Sequence, residues 1–353
     1  MKKLLVIFLA VVVAAGLAAC GGSSGTAREQ SSASATGEAS KTAAGNSFTL
    51  KMANVASENN PYTKGAYKFS ELVKDRTDGA VIIDVYPNSA LGGEREILEG
   101  MQLGTIDLCT VSTAPVANFS EAWYVFDLPY LFTDLETTYE VLDGDIGNEL
   151  GSLLEEDGFV NLAYWQNGFF NIITKKQVVH PEDMKGMTIR CFENPIHSAY
   201  FSLCGANAVP APWGEVYTML QNNTIDGCTT SYSFIYNTQL NEVAGYVANT
   251  HQIYAVAPTM ISKITWDKLP DEYRQIIKEC AVEAGRYERD LCNDSEEEQK
   301  KELAEKGMTL VDINRDEWAA FMAPITEKFV GADKYISQDL YDRIYAITSK
   351  GTR

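Results

Sequence analysis

The chain has 353 residues, 45% of them apolar, and its 48 acidic and 29 basic side chains give a formal net charge of -19. Nucleic acid and anionic membrane surfaces make poor partners for such a chain, because both are bound through basic faces. Any anion it captures must meet positive charge concentrated in one site.

The chain opens with Lys2 and Lys3, an unbroken apolar run from Leu4 to Leu17, and then Ala18-Ala19-Cys20. A bilayer-spanning helix needs about 20 apolar residues, so this shorter run reads as an export signal over residues 1–19. The small residues before Cys20 resemble a bacterial lipobox, in which the cysteine thiol takes a lipid. That places the protein outside the cytoplasm, touching the membrane through its anchor alone. From Gly21 to Ser47 the chain is mostly Gly, Ser, Ala and Thr, with no bulky residues to bury. It reads as a tether with an average span of roughly 30 Å. Gly21-Gly22-Ser23-Ser24-Gly25 matches a nucleophile-elbow pattern only formally, since no strand precedes it.

From Phe48 onward, strand-like and helical segments alternate, which argues for parallel sheets covered by helices in an α/β fold. The spacing predicts a strand at Phe48 to Met52, a helix from Pro61 ended by Gly79, a strand at Val81 to Tyr86, a helix at Arg95 to Leu103 and a strand at Asp107 to Val111. Helices through Thr137 and Leu150 and a strand from Phe159 follow. The same grammar repeats: strand Thr188 to Cys191, helix Ile196 to Leu203, a short strand near Ala208, helix Glu215 to Gln221, strand Ile225 to Cys228. The chain is thus two α/β units in series. After a strand-like stretch from Ile253 to Ile264, residues 271–306 read as one long helix. Tyr273, Ile277, Cys280, Ala284, Tyr287 and Leu291 form its apolar stripe. Such a helix suits an element spanning two domains, although a plain surface helix would carry the same spacing. Helices near Trp318 to Phe329 and Leu340 to Ile347 close the chain.

No Walker loop, dinucleotide-binding glycine turn, His-Glu-x-x-His pair or EF-hand loop is present. His180, His197 and His251 stand far apart without ligand spacing, so neither a metal nor any other cofactor is expected. Cys109, Cys191, Cys204, Cys228, Cys280 and Cys292 are widely spaced and read as buried free thiols. Glu94 and Glu96, which flank Arg95 after Gly92-Gly93 at a helix start, are the acidic residues in a setting that can present backbone donors to an anion; an ordinary helix cap would look the same.

Several segments, read in order, resemble the solute-binding subunit of tripartite ATP-independent periplasmic (TRAP) transporters, of the dicarboxylate-receptor type. They are Tyr86-Pro87-Asn88-Ser89-Ala90-Leu91-Gly92-Gly93-Glu94-Arg95-Glu96, Gln102-Leu103-Gly104-Thr105-Ile106-Asp107, Asp127-Leu128-Pro129-Tyr130-Leu131-Phe132, Met184-Lys185-Gly186-Met187-Thr188-Ile189-Arg190 and Trp213-Gly214-Glu215-Val216-Tyr217-Thr218-Met219-Leu220-Gln221, with Trp266-Asp267-Lys268-Leu269-Pro270 later. The resemblance extends from Phe48 to Ile347. It implies a periplasmic-binding-protein fold: two α/β lobes with a ligand cleft and a long connecting helix, with lobe I at 48–167 and 256–295 and lobe II at 168–255 and 296–353. It also implies a receptor rather than an enzyme, one that carries a small carboxylate solute to the small and large TRAP permease subunits. A receptor of the same fold serving an ATP-driven transporter or a sensor kinase is the alternative.

The resemblance further implies that Arg190 clamps the solute carboxylate, a task for which the planar guanidinium fork is suited. A surface pair with Glu193 is the plain alternative for that side chain. Trp213 falls where an aromatic ring covers the solute. The family's second arginine is replaced by Phe170, and an amide-bearing side chain by Thr230. The expected solute is therefore a monocarboxylate with an apolar or aromatic body, packed on Phe170 and Trp213. Tyr232, Tyr236 and Tyr254 are further candidates for the wall, or for the core.

Overall fold

The computed structural model describes residues 47–351. The export signal, Cys20 and the tether up to residue 46 lie outside the described residues. The first run of elements is β1 (Phe48–Ala53), α1 (Pro61–Arg76), β2 (Val81–Tyr86), α2 (Glu94–Gln102), β3 (Leu108–Thr110), α3 (Thr113–Val116), α4 (Leu135–Asp143) and α5 (Asp145–Leu153). The long strand β4 (Phe159–Thr174) leads to β5 (Thr188–Cys191), α6 (Pro195–Leu203), β6 (Asn207–Pro210), α7 (Val216–Gln221), β7 (Gly227–Thr230) and α8 (Tyr232–Asn237). A second long strand, β8 (Tyr246–Ser262), is followed by α9 (Lys263–Trp266), α10 (Asp271–Glu305), β9 (Thr309–Val311), α11 (Arg315–Phe329) and α12 (Gln338–Thr348).

The strands form one sheet in the order β2-β1-β3-β8-β4-β7-β5-β6, with β9 on β8. Both flanks are parallel: β1 pairs with β2 and β3, and β5 with β6 and β7. The centre is not, because β8 runs antiparallel to β3 and β4, and β4 antiparallel to β7. A wholly parallel reading misses this, since local spacing does not report strand direction. The register divides the molecule. Thr259, Met260 and Ile261 of β8 face β3, whereas Tyr246, Val247 and Ala248 face the end of β4 that carries β7. The two lobes are therefore built on opposite ends of the same two strands. Between Gln166 and Gly168 the β4–β8 ladder shifts register, and Gly168 takes φ +97°, which a side chain would strain.

β8 begins seven residues earlier than Ile253, because the polar run Asn249, Thr250, His251, Gln252 hides its strand character from apolar patterning. β7 lies two residues later than expected.

α10 packs on α1 and β4 through its first half and on α8 beyond. Gly65 and Gly285 permit the approach: a Cβ on either would stand 2.8 or 2.6 Å from the Trp165 ring. The buried face differs from the expected stripe. Tyr287 is 41% exposed and Leu291 only half-buried, while Glu288, Arg289 and Cys292 are buried. Trp165 and Gln166 of β4 draw the polar side inward through hydrogen bonds, among them Glu288 Oε2 accepting from the Gln166 N–H at 3.0 Å. α12 docks on α4, and Arg343 pairs with Glu149 of α5 at 2.6 Å. All six cysteines from Cys109 to Cys292 are buried free thiols. Among the described residues no helix is long and apolar enough to cross a membrane.

Candidate functional site

In parallel α/β sheets, ligand sites form beyond the carboxyl ends of the strands. Arg190 stands one residue from the end of β5, between Val209 of β6 and Cys228 of β7. Its side chain is only 1% exposed. Nε donates to the Ala211 carbonyl at 2.8 Å, and the guanidinium lies 4.4 Å from the Phe192 ring centroid and 5.8 Å from that of Trp213. Nη1 is buried without any hydrogen-bond partner among the described residues. A desolvated cation of this kind is costly unless something anionic completes its shell. Burial accordingly pushes the Arg190 pKa down, against the charge of Glu94.

Glu94 opens α2 behind the N-cap Gly93 and is 8% exposed. Its Oε1 accepts the Ser112 N–H at 2.7 Å. Burial raises its pKa, while Ser112 and the Arg190 charge act in the opposite direction. Glu94 and Arg190 line one cavity of about 640 Å³. Its apolar wall comes from Pro115, Phe119, Phe192, Pro210, Pro212 and Trp213. Its charged rim is Arg95, Glu96, Glu99 and Glu193.

A strap crosses that rim. Arg95 Nη1 donates to both carboxylate oxygens of Glu193 at 2.7 Å, and Arg95 Nε reaches Glu99 at 3.0 Å. Asn118 Nδ2 donates to the Glu193 carbonyl at 2.7 Å, and Asn194 Nδ2 reaches the Ala114 carbonyl at 3.2 Å. Arg95, Asn118 and Ala114 belong to the β1–β3 side; Glu193 and Asn194 follow β5. Glu193 is thus the partner of Arg95, not of Arg190.

Of the residues singled out from sequence, Arg190, Trp213, Glu94 and Glu193 converge on this cavity. Phe170, 2% exposed, does not line it; its ring stacks on Phe192 at 5.9 Å within a small apolar cluster with Ala114, Ile253 and Ala255. Thr230 is buried opposite Asn171 of β4, away from the lining. Tyr232 turns toward α10: its hydroxyl meets Asn249, and Lys300 Nζ lies 5.1 Å from its ring. Tyr236 bonds Glu302, and Tyr254 bonds Gln166. Like Pro115 and Phe119 of the same wall, Phe192 is a residue that sequence reasoning missed. Its only signal is a position two residues after Arg190, where period-two alternation returns a side chain to the same face.

Among the described residues no histidine, cysteine, aspartate and glutamate side chains converge as a metal-binding set.

Residues 52–332 match the family described as bacterial extracellular solute-binding protein, family 7. A solute-binding protein of Roseobacter denitrificans is 33% identical over 286 residues, covering 81% of this chain and 87% of the relative. Two solved TRAP periplasmic solute-binding proteins superpose closely. That of Polaromonas sp JS666, bound to D-erythronate, gives a TM-score of 0.82 at 30% identity over 85% of this chain and 98% of its own. That of Bordetella bronchispeptica, with density assigned to pantoate, gives 0.81 at 33% identity over 84% and 98%.

Proposed function

We infer, from the premise that this chain belongs to family 7 of the bacterial extracellular solute-binding proteins, that Arg190 is the group on which its solute is held. The chain is an extracytoplasmic receptor of the TRAP type; it binds a small organic acid and performs no chemistry on it. The observation that carries the assignment of Arg190 is its geometry: one edge is bonded to Ala211, one face lies on Phe192, and a terminal nitrogen is left without a partner beside the cavity. A carboxylate supplies the missing acceptor and cancels the buried charge. The apolar wall at Trp213 and Phe192, the latter backed by Phe170, favours a monocarboxylate with an apolar or branched body.

In this reading lobe I comprises 48–167 and 256–295, and lobe II comprises 168–255 and 296–353. The solute bridges them, and the shut form gains population because its contacts with the solute are better there. The small and large permease subunits then receive the closed receptor. Cleavage after residue 19 and lipidation of Cys20 would leave the folded part on a tether above the membrane. Mass spectrometry of solute released from purified protein, together with a thermal-shift screen, tests the solute class. Branched or aryl monocarboxylates are expected to raise the melting temperature by several degrees; a preference for dicarboxylates or sialic-acid-like sugars would sink it.

A further inference from the structure

The cavity holds one more charged group at depth than a simple anion trap requires. Glu94 is buried and its Oε1 accepts the Ser112 N–H, with the Ser112 side chain also bonding the carboxylate. It shares the cavity with Arg190. Around the whole lining, Glu94, Glu96, Glu99 and Glu193 stand against Arg95 and Arg190, so carboxylates outnumber guanidiniums by four to two. Arg95 is moreover held by Glu193 and Glu99, which leaves Arg190 as the cation available at depth.

We propose that Glu94 is a charge filter: it excludes dicarboxylates and selects monocarboxylates that carry a hydroxyl or ammonium donor on the carbon skeleton beside the carboxylate held by Arg190. This rests on the assignment of Arg190 as the carboxylate clamp. A second carboxylate on the solute would meet Glu94 across a poorly solvated space, where like charges several ångströms apart repel strongly. A hydroxyl or ammonium at the same place donates a charge-assisted hydrogen bond to the Glu94 carboxylate. A solute with neither desolvates the Glu94 carboxylate without adding a donor to it, the arrangement by which a polar site rejects the analogue that lacks the polar group.

The test is calorimetric titration of the wild-type protein, Glu94→Gln, Glu94→Asp and Arg190→Lys with 3-methylbutanoate, 2-hydroxy-3-methylbutanoate, valine and malate. The wild type is expected to bind the hydroxy or the amino acid about tenfold or more tightly than 3-methylbutanoate, and malate most weakly. Which of the two prevails tells whether the donor is a hydroxyl or an ammonium. Glu94→Gln should raise malate affinity about ten- to a hundredfold relative to 3-methylbutanoate, and Glu94→Asp, which restores the charge, should not. A malate to 3-methylbutanoate ratio unchanged in Glu94→Gln overturns the filter even if Arg190→Lys abolishes binding. Unchanged binding in Arg190→Lys overturns the clamp instead, and with it the premise of the filter. Binding of none of the four acids by the wild type overturns both.

Discussion

Arg190 is held so that little of its guanidinium is free to move: Nε is committed to Ala211, and its face to Phe192 and Trp213. A lysine there could present charge but neither the planar fork nor the flat face that Phe192 packs against. Arg190→Lys is therefore expected to weaken binding of the native solute by about thirtyfold to several thousandfold, the range for breaking one side of a buried hydrogen-bonded charge pair. Calorimetric titration with a matched melting curve checks it, and a loss below threefold would mean that Arg190 is structural. Phe192→Leu keeps the apolar volume but removes the ring under the cation. A several-fold loss is expected there, in line with about 1 kcal/mol for a partly desolvated cation–π contact. Arg190 and Trp213 were legible because each sits in a recognisable stretch. Phe192 was not, since a cation–ring contact depends on where the strand end turns.

Along α10, the decisive side chain is one that apolar patterning assigns to solvent. Glu288 is buried at the junction of α1, β4 and α10, and burial lifts its carboxyl from 4.5 to about 8, against the Gln166 N–H, Cys292 and Arg289, which lower it. The folded state thus holds this proton more tightly than the unfolded chain. Its contribution to stability is full below about pH 4.5 and is lost as pH rises through about 8, a span worth roughly 2–5 kcal/mol. His251 works in the opposite sense at lower pH: burial, then Arg315 and Lys300, push it down to about 3. The effect of Glu288 is therefore read as a difference. Between pH 5 and pH 9 the melting temperature of Glu288→Gln should rise by several degrees relative to wild type. A difference that stays constant over that range would contradict the assignment. The length of α10 follows from three- and four-residue spacing and the absence of an internal proline. The identity of its buried face does not, because Trp165 and Gln166 on another element choose it.

At the scale of the whole molecule, β4, β8 and α10 join two halves that meet again at the Arg95–Glu193 strap. Both strap side chains are more than half exposed, so the pair is worth at most about 1 kcal/mol. That is too little to hold the cleft shut alone, so in the proposed reading solute contacts at Arg190 carry closure and the strap tunes release. Arg95→Gln is accordingly expected to speed solute dissociation about two- to fivefold, with the wild-type rate approaching the variant's at high salt. Stopped-flow tryptophan fluorescence measures this, and equal rates at low salt would refute it. The order of elements, the length of α10 and the candidacy of Arg190 were determined by the sequence by itself, because hydrophobic period, caps and a local motif are written in neighbouring residues. The direction of the central strands, the inward turn of Glu288, the stacking of Phe170 behind Phe192 and the pairing of Arg95 with Glu193 were decided only in the tertiary structure. Each depends on residues tens to more than a hundred positions apart, and no local pattern records which of them will meet.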